Sequence, residues 1–150
     1  MPKLTAQQQG IAIDAGRRAG RLNGAAIAFR EHVKSIVSRE GSVQLGVQWR
    51  DVEAISPPGF ALDTFSGTVI AAFDHVTDGQ QLLGRYRFYR MVGDPIKPTP
   101  AEFWGILIDD LGSATWSIPA QLEWSSGNES EVVSFVYRLL FEFYGTVDRI

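Results

Sequence analysis

Residues 113 to 124 alternate apolar and polar positions almost without fault. Ala114, Trp116, Ile118, Ala120, Leu122 and Trp124 fall on one side; Ser113, Thr115, Ser117, Pro119, Gln121 and Glu123 fall on the other. A strand carries side chains with a period of two, so this segment predicts a strand with one dry face. Val43, Leu45, Val47 and Trp49 repeat the pattern against Gln44, Gly46, Gln48 and Arg50, predicting a first strand over 42–50, with Val52 and Ile55 continuing it after a bulge. Strands are also expected at 66–76, 82–91 and 103–110. On the second of these five, Val69, Ala71, Phe73 and His75 oppose Ile70, Ala72, Asp74 and Val76; both sides are fairly apolar, which suits a central position.

The turn chemistry agrees. Ser56-Pro57-Pro58-Gly59 reads as a loop, Thr77-Asp78-Gly79-Gln80 as a hairpin turn, and Leu111-Gly112 as a turn between the last two strands. Residues 93–100 contain three prolines, which cannot donate to a ladder, so they read as a surface loop.

The period changes to three and four at both ends of the chain. Ile11, Ala15, Leu22, Ala26, Phe29, Val33 and Ile36 predict a helical segment over 5–39, with Thr5 as its N-cap and Gln8 completing a capping box. Asn23-Gly24 leaves open whether this is one helix or a hairpin bent near residue 23. Gly16, Gly20 and Gly24 are four apart and share a stripe if the helix is unbroken, either admitting a second backbone or marking kinks. Val132, Phe135, Val136, Leu139, Leu140 and Phe143 predict a second helix over 129–145, capped by Ser126 with Glu129 or by Asn128, and stopped at Gly145. The expected fold is one α+β domain: a five-stranded, mainly antiparallel meander with the N-terminal helix or helical hairpin and the C-terminal helix packed on one face.

Composition narrows the function classes. The 150 residues are 45% hydrophobic and 21% charged, enough for a core. There is no cysteine, which excludes disulfides and thiolate chemistry. No secretory pattern or membrane span is visible, so a cytoplasmic protein is expected. Residues 1–40 hold seven basic and three acidic groups, a net of +4; the other 110 hold seven basic and fourteen acidic groups, a net of −7. A basic helix resting on an acidic sheet, of the same or a partner subunit, accounts for this. Nucleic-acid binding through Arg17, Arg18 and Arg21 is the weaker reading, because the whole is acidic and no aromatic residues interleave the arginines.

Candidate chemistry is sparse. Asp109 and Asp110 adjoin a turn; neighbours in a strand diverge, so they are not a shared-proton dyad, and each reads as a cation ligand or as turn chemistry. His75 could act as a general base or sit half-buried and hydrogen-bonded, and two histidines without cysteine make a poor metal site, so neither metal nor cofactor is expected. Arg85 and Arg87 share a face and could hold a carboxylate or phosphate, or pair with acids across the sheet. Trp49 and Trp116 belong to a rich aromatic set that fills a core or lines a pocket. No dinucleotide fingerprint, phosphate loop or nucleophile elbow occurs. The expected function is a non-catalytic interaction module, a homodimer contacting itself through the 5–39 helix or a sheet edge. The alternative is a small-molecule-binding protein or small enzyme, taking an apolar or anionic ligand in an aromatic pocket between sheet and helices.

Overall fold

The computed structural model describes residues 2–39 and 44–150. Helix α1 (Ala6–Val37) is followed by strands β1 (Val47–Arg50), β2 (Phe60–Thr64), β3 (Gly67–Thr77), β4 (Leu82–Val92), β5 (Thr99–Ile108), β6 (Ser113–Ala114) and β7 (Trp124–Ser125), and then by helix α2 (Glu129–Tyr144). Among the described residues the strands form one antiparallel sheet in chain order. The α+β class and the antiparallel sheet stand as expected; the sheet has seven strands, not five.

Helix α1 runs unbroken for 32 residues, through Asn23-Gly24 rather than bending there. Its start follows the capping box: Gln8 N–H donates to Thr5 Oγ1 at 3.1 Å and Thr5 N–H to Gln8 Oε1 at 2.8 Å. Helix α2 is capped by Asn128, whose Oδ1 accepts from Ser130 and Glu131, while Ser126 is buried. The turn at 77–81 forms as its residues require: Asp78 Oδ1 accepts from the amides of Gln80 and Gln81 at 2.8 Å, and Gly79 takes a φ of 92°.

Strands β1, β2 and β5 differ from expectation. The first strand starts at Val47; residues 42 and 43 of its expected span lie outside the described residues, and Val52 and Ile55 sit in a loop over 51–59 rather than extending the strand. Strand β2 was not expected. Phe60, Ala61 and Leu62 are all buried, so they leave no period of two to read. Strand β5 begins at Thr99, inside the proline segment, with Pro100 opposite Met91. The proline is tolerated because β6 pairs only the far end of β5, at Ile108, leaving this end an edge.

The largest departure is the segment that alternates best. Only Ser113–Ala114 and Trp124–Ser125 are strand; residues 115–123 connect them irregularly. Side chains take the ladder positions there. Leu107 N–H donates to Thr115 Oγ1 rather than to a backbone oxygen, and Trp104 and Trp124 donate their indole N–H groups to the carbonyls of Trp116 and Thr115, all between 2.8 and 2.9 Å. Trp116 and Trp124 still share a side, with ring centroids 4.8 Å apart, but Ile118 turns to the opposite face and covers Gly105.

Both helices pack on one face through aromatic rings. Tyr86 and Phe88 alternate inward from β4; Phe29 of α1 meets Tyr86 at 5.4 Å and Phe135 of α2 meets Phe88 at 5.6 Å. Phe29 and Phe135 join the helices at 4.9 Å. A register shift opposite Phe88 and Tyr89 lets both Phe103 and Trp104 reach α2, against Phe143 and Phe135. The Tyr86 hydroxyl, fully enclosed, donates between the carbonyls of Ala26 and Pro58 at 3.1 and 2.8 Å, and burial pushes its pKa up.

Candidate functional surface

The seven candidate residues do not gather at one site. Arg85 and Arg87 lie on the sheet face away from the helices, where Asp74 of β3 binds both. Arg85 takes the carboxylate with two bonds, Nε to Oδ1 at 2.9 Å and Nη2 to Oδ2 at 2.6 Å; Arg87 Nη2 adds a longer one at 3.3 Å. The register explains this, since Asp74 stands directly opposite Arg85. The Arg85 bonds hold the Asp74 carboxyl below the usual carboxylate range despite partial burial, and Asp74 raises Arg85 in return.

His75 points to the other face, toward α1, with Nε2 2.8 Å from Asn23 Oδ1 and its ring edge-on to Phe73. Asp109 closes the turn after β5, accepting from the amides of Leu111 and Ser113 at 3.0 and 2.8 Å. Asp110 faces α1 and takes Arg21 at 3.0 Å and Arg18 at 3.5 Å. Arg18 also donates to the Leu82 carbonyl at 2.7 Å, so the helix is tied to two strand ends at once. Trp49, near the β1 edge, stacks on Phe60 at 5.6 Å, beneath the Arg30 guanidinium and Lys34 ammonium at 4.9 and 5.7 Å. Trp116 lies beside α2.

These positions constrain the chemistry. Arg85 and Arg87 line a groove of about 520 Å³ with Glu102, Gly105, Ser117 and Ile118. Asp74 and Glu102 balance the two cations, and Arg87 Nε is buried without a hydrogen-bond partner. The space between sheet and helices is occupied by rings: Trp124, Phe135, Phe29, Tyr86 and Phe88 contact one another there. Among the described residues no three His, Asp or Glu side chains gather as metal ligands. No helix among them is long and apolar enough to cross a membrane. The basic cluster expected on α1 is divided, with Arg18 and Arg21 paired to Asp110, and Arg17 and Arg21 exposed to solvent.

Two exposed surfaces stand out instead. Every position of α1 from Ala6 to Arg17 is exposed except Gly10, so the first third of the helix projects past the sheet. The buried side of α1 is Leu22, Ala26, Phe29, Val33 and Ile36; directly opposite lie Ile13, Gly16, Gly20, Gly24 and Ile27, all exposed. A methyl group added at any of the three glycines would meet nothing within 4 Å. On α2, Tyr137, Phe141 and Tyr144 make a second stripe facing away from the core, and with Trp116, Ser134 and Arg138 the first two border a shallow groove of about 540 Å³. That stripe follows a helical spacing of four and three, but the stronger apolar stripe of the same helix hid it.

Comparison of the chain with models of protein families, with curated proteins and with solved structures finds no match. The functional reading therefore rests on the surfaces themselves.

Proposed function

We propose that the protein is a non-catalytic interaction module that associates with a second copy of itself through the outward face of α1. The observation that carries this reading is the unobstructed strip from Ile13 to Ile27. Glycine costs a helix about 1 kcal/mol per position relative to alanine. Three of them spaced by four on a solvent face contribute nothing to the monomer, whereas at a helix–helix contact they let two backbones approach. A sheet edge is the poorer contact. Edge strand β1 has four residues and β7 has two, too short to template pairing with another sheet, and the open end of β5 carries Pro100, which cannot donate to a ladder.

The test is a substitution that moves folding and association in opposite directions. Gly20→Lys removes a helix-weakening residue at an open position and should raise monomer stability by ~0.7 kcal/mol. The same side chain places bulk and charge in the strip. Size-exclusion chromatography with light scattering should show a dimer for the unaltered protein and a monomer for Gly20→Lys. A monomer in both cases overturns the proposal.

A further inference from the structure

We propose that the groove beside β5, where Arg85, Arg87 and Glu102 meet Gly105 and Ser117, is a binding site for a neutral saccharide. It lies apart from the outward face of α1 and does not depend on self-association. Its charges are in balance. Asp74 takes Arg85 with two bonds and Arg87 with a third, and Glu102 lies close enough to act on Arg85 through its charge. Two cations set against two carboxylates leave no net field to draw in an anion or a cation. Hydrogen-bonding capacity remains. Among the described residues, Nη1 of each guanidinium has no protein partner, and the exposed Glu102 carboxylate accepts no hydrogen bond and forms no ion pair within 4 Å.

The strand edge adds a matched donor and acceptor. Leu107 bonds away from β4: its N–H donates to Thr115 Oγ1 and its carbonyl accepts from the Thr115 amide, both at 2.9 Å. Hydrogen-bond direction alternates along a strand, so Gly105, two residues earlier, turns its N–H and C=O to the same side. Strand β6 pairs β5 only at Ile108, so both groups open into the groove. A Cβ at Gly105 would meet Ile118 Cδ1 at 3.0 Å and the Tyr86 carbonyl at 3.2 Å, so glycine keeps this stretch of edge bare.

These groups define the ligand class. The space, about 520 Å³, is of small-ligand size. A hydroxyl donates, accepts, carries no charge and rotates to suit its partners. A sugar ring holds several hydroxyls beside an apolar C–H face, and Ile118 and Phe103 supply apolar contact in the same groove. An extended peptide fits less well. It needs donors and acceptors at successive positions, whereas the register shift opposite Phe88 and Tyr89 interrupts this edge and Pro100 ends its donors.

Amide shifts of isotope-labelled protein, titrated with methyl α-glucoside, methyl α-mannoside, methyl β-galactoside and N-acetylglucosamine to about 50 mM each, test the proposal. The expected result is saturable shifts at Glu102, Gly105 and Ser117 with at least one of these sugars, at a millimolar Kd. Glu102→Ala changes an exposed side chain, so the remaining amide spectrum should persist while binding weakens about tenfold or more. Silence toward all of the sugars overturns the proposal, and so does an unaltered Kd in Glu102→Ala. Equal shifts with sodium phosphate also overturn it, by marking an anion site. Equal shifts with acetyl-pentaalanine amide do the same, by marking strand addition.

Discussion

Phe29 is the residue on which the helix, the sheet and the second helix converge, and its truncation yields the sharpest stability prediction. Its ring is fully buried and lies edge-on to Phe60, Tyr86, Trp124 and Phe135 at centroid distances of 6.5, 5.4, 5.9 and 4.9 Å. Phe29→Ala removes the buried ring and leaves a cavity that four rigid neighbours cannot close. Such changes cost ~3–5 kcal/mol, and loss of edge-to-face contacts places this one toward the upper end. Domains of this size are stable by about 5–15 kcal/mol, so much of the margin goes. Urea denaturation followed by far-UV circular dichroism measures it without relying on Trp124, whose fluorescence the substitution would itself alter. The expected result is a lower midpoint with an unchanged slope, corresponding to about 4 kcal/mol, and a Tm lower by roughly 10 °C. A loss under about 1 kcal/mol would mean that α1 is not seated on the sheet through this residue, and the assignment of its opposite face to solvent would fail with it.

Three further outcomes follow from local geometry. A Cβ at Gly84 would lie 2.7 Å from the Phe73 ring and 2.8 Å from Ile108 Cγ2, so Gly84→Ala should lose about 1–3 kcal/mol in the same urea assay, against the usual benefit of replacing a strand glycine. Asn128→Ala removes the cap that accepts from Ser130 and Glu131 and should lower stability by about 1 kcal/mol. Arg85 depresses the Asp74 carboxyl below its reference of 3.8, so that group stabilises the fold above this value and ceases to as the pH falls through its lower folded value. Asp74→Asn should therefore cost about 1 kcal/mol at neutral pH, a modest figure because the pair is partly exposed, and the difference from the unaltered protein should vanish in acid; a constant difference across the range would contradict the pairing.

The elements with a single buried face were legible from residue spacing. The α2 stripe from Val132 to Phe143 and the α1 stripe from Leu22 to Ile36 are buried as their spacing requires. Where both faces of a strand are covered, as at Phe60, Ala61 and Leu62, periodicity carries no signal and β2 went unread. At 113–124 the spacing was present and misled, because hydroxyl and indole groups of Thr115, Trp104 and Trp124 took hydrogen bonds that a strand would have given to a neighbour. Site residues fared unevenly for a related reason. That Arg85 and Arg87 share Asp74, or that Asp110 holds Arg18 and Arg21, depends on register and on how α1 crosses the sheet, which no local pattern encodes. The glycine spacing on α1 was visible from the outset; only the fold decides whether that stripe faces the sheet or solvent.

Sedimentation velocity of the unaltered protein over a concentration series from about 1 µM to about 1 mM tests self-association most directly, because a micromolar-to-millimolar Kd shows within that range. The account predicts a sedimentation coefficient that climbs from a monomer value to a dimer plateau, and a flat monomer value for Gly20→Lys. A coefficient that stays at the monomer value to the highest concentration would contradict it.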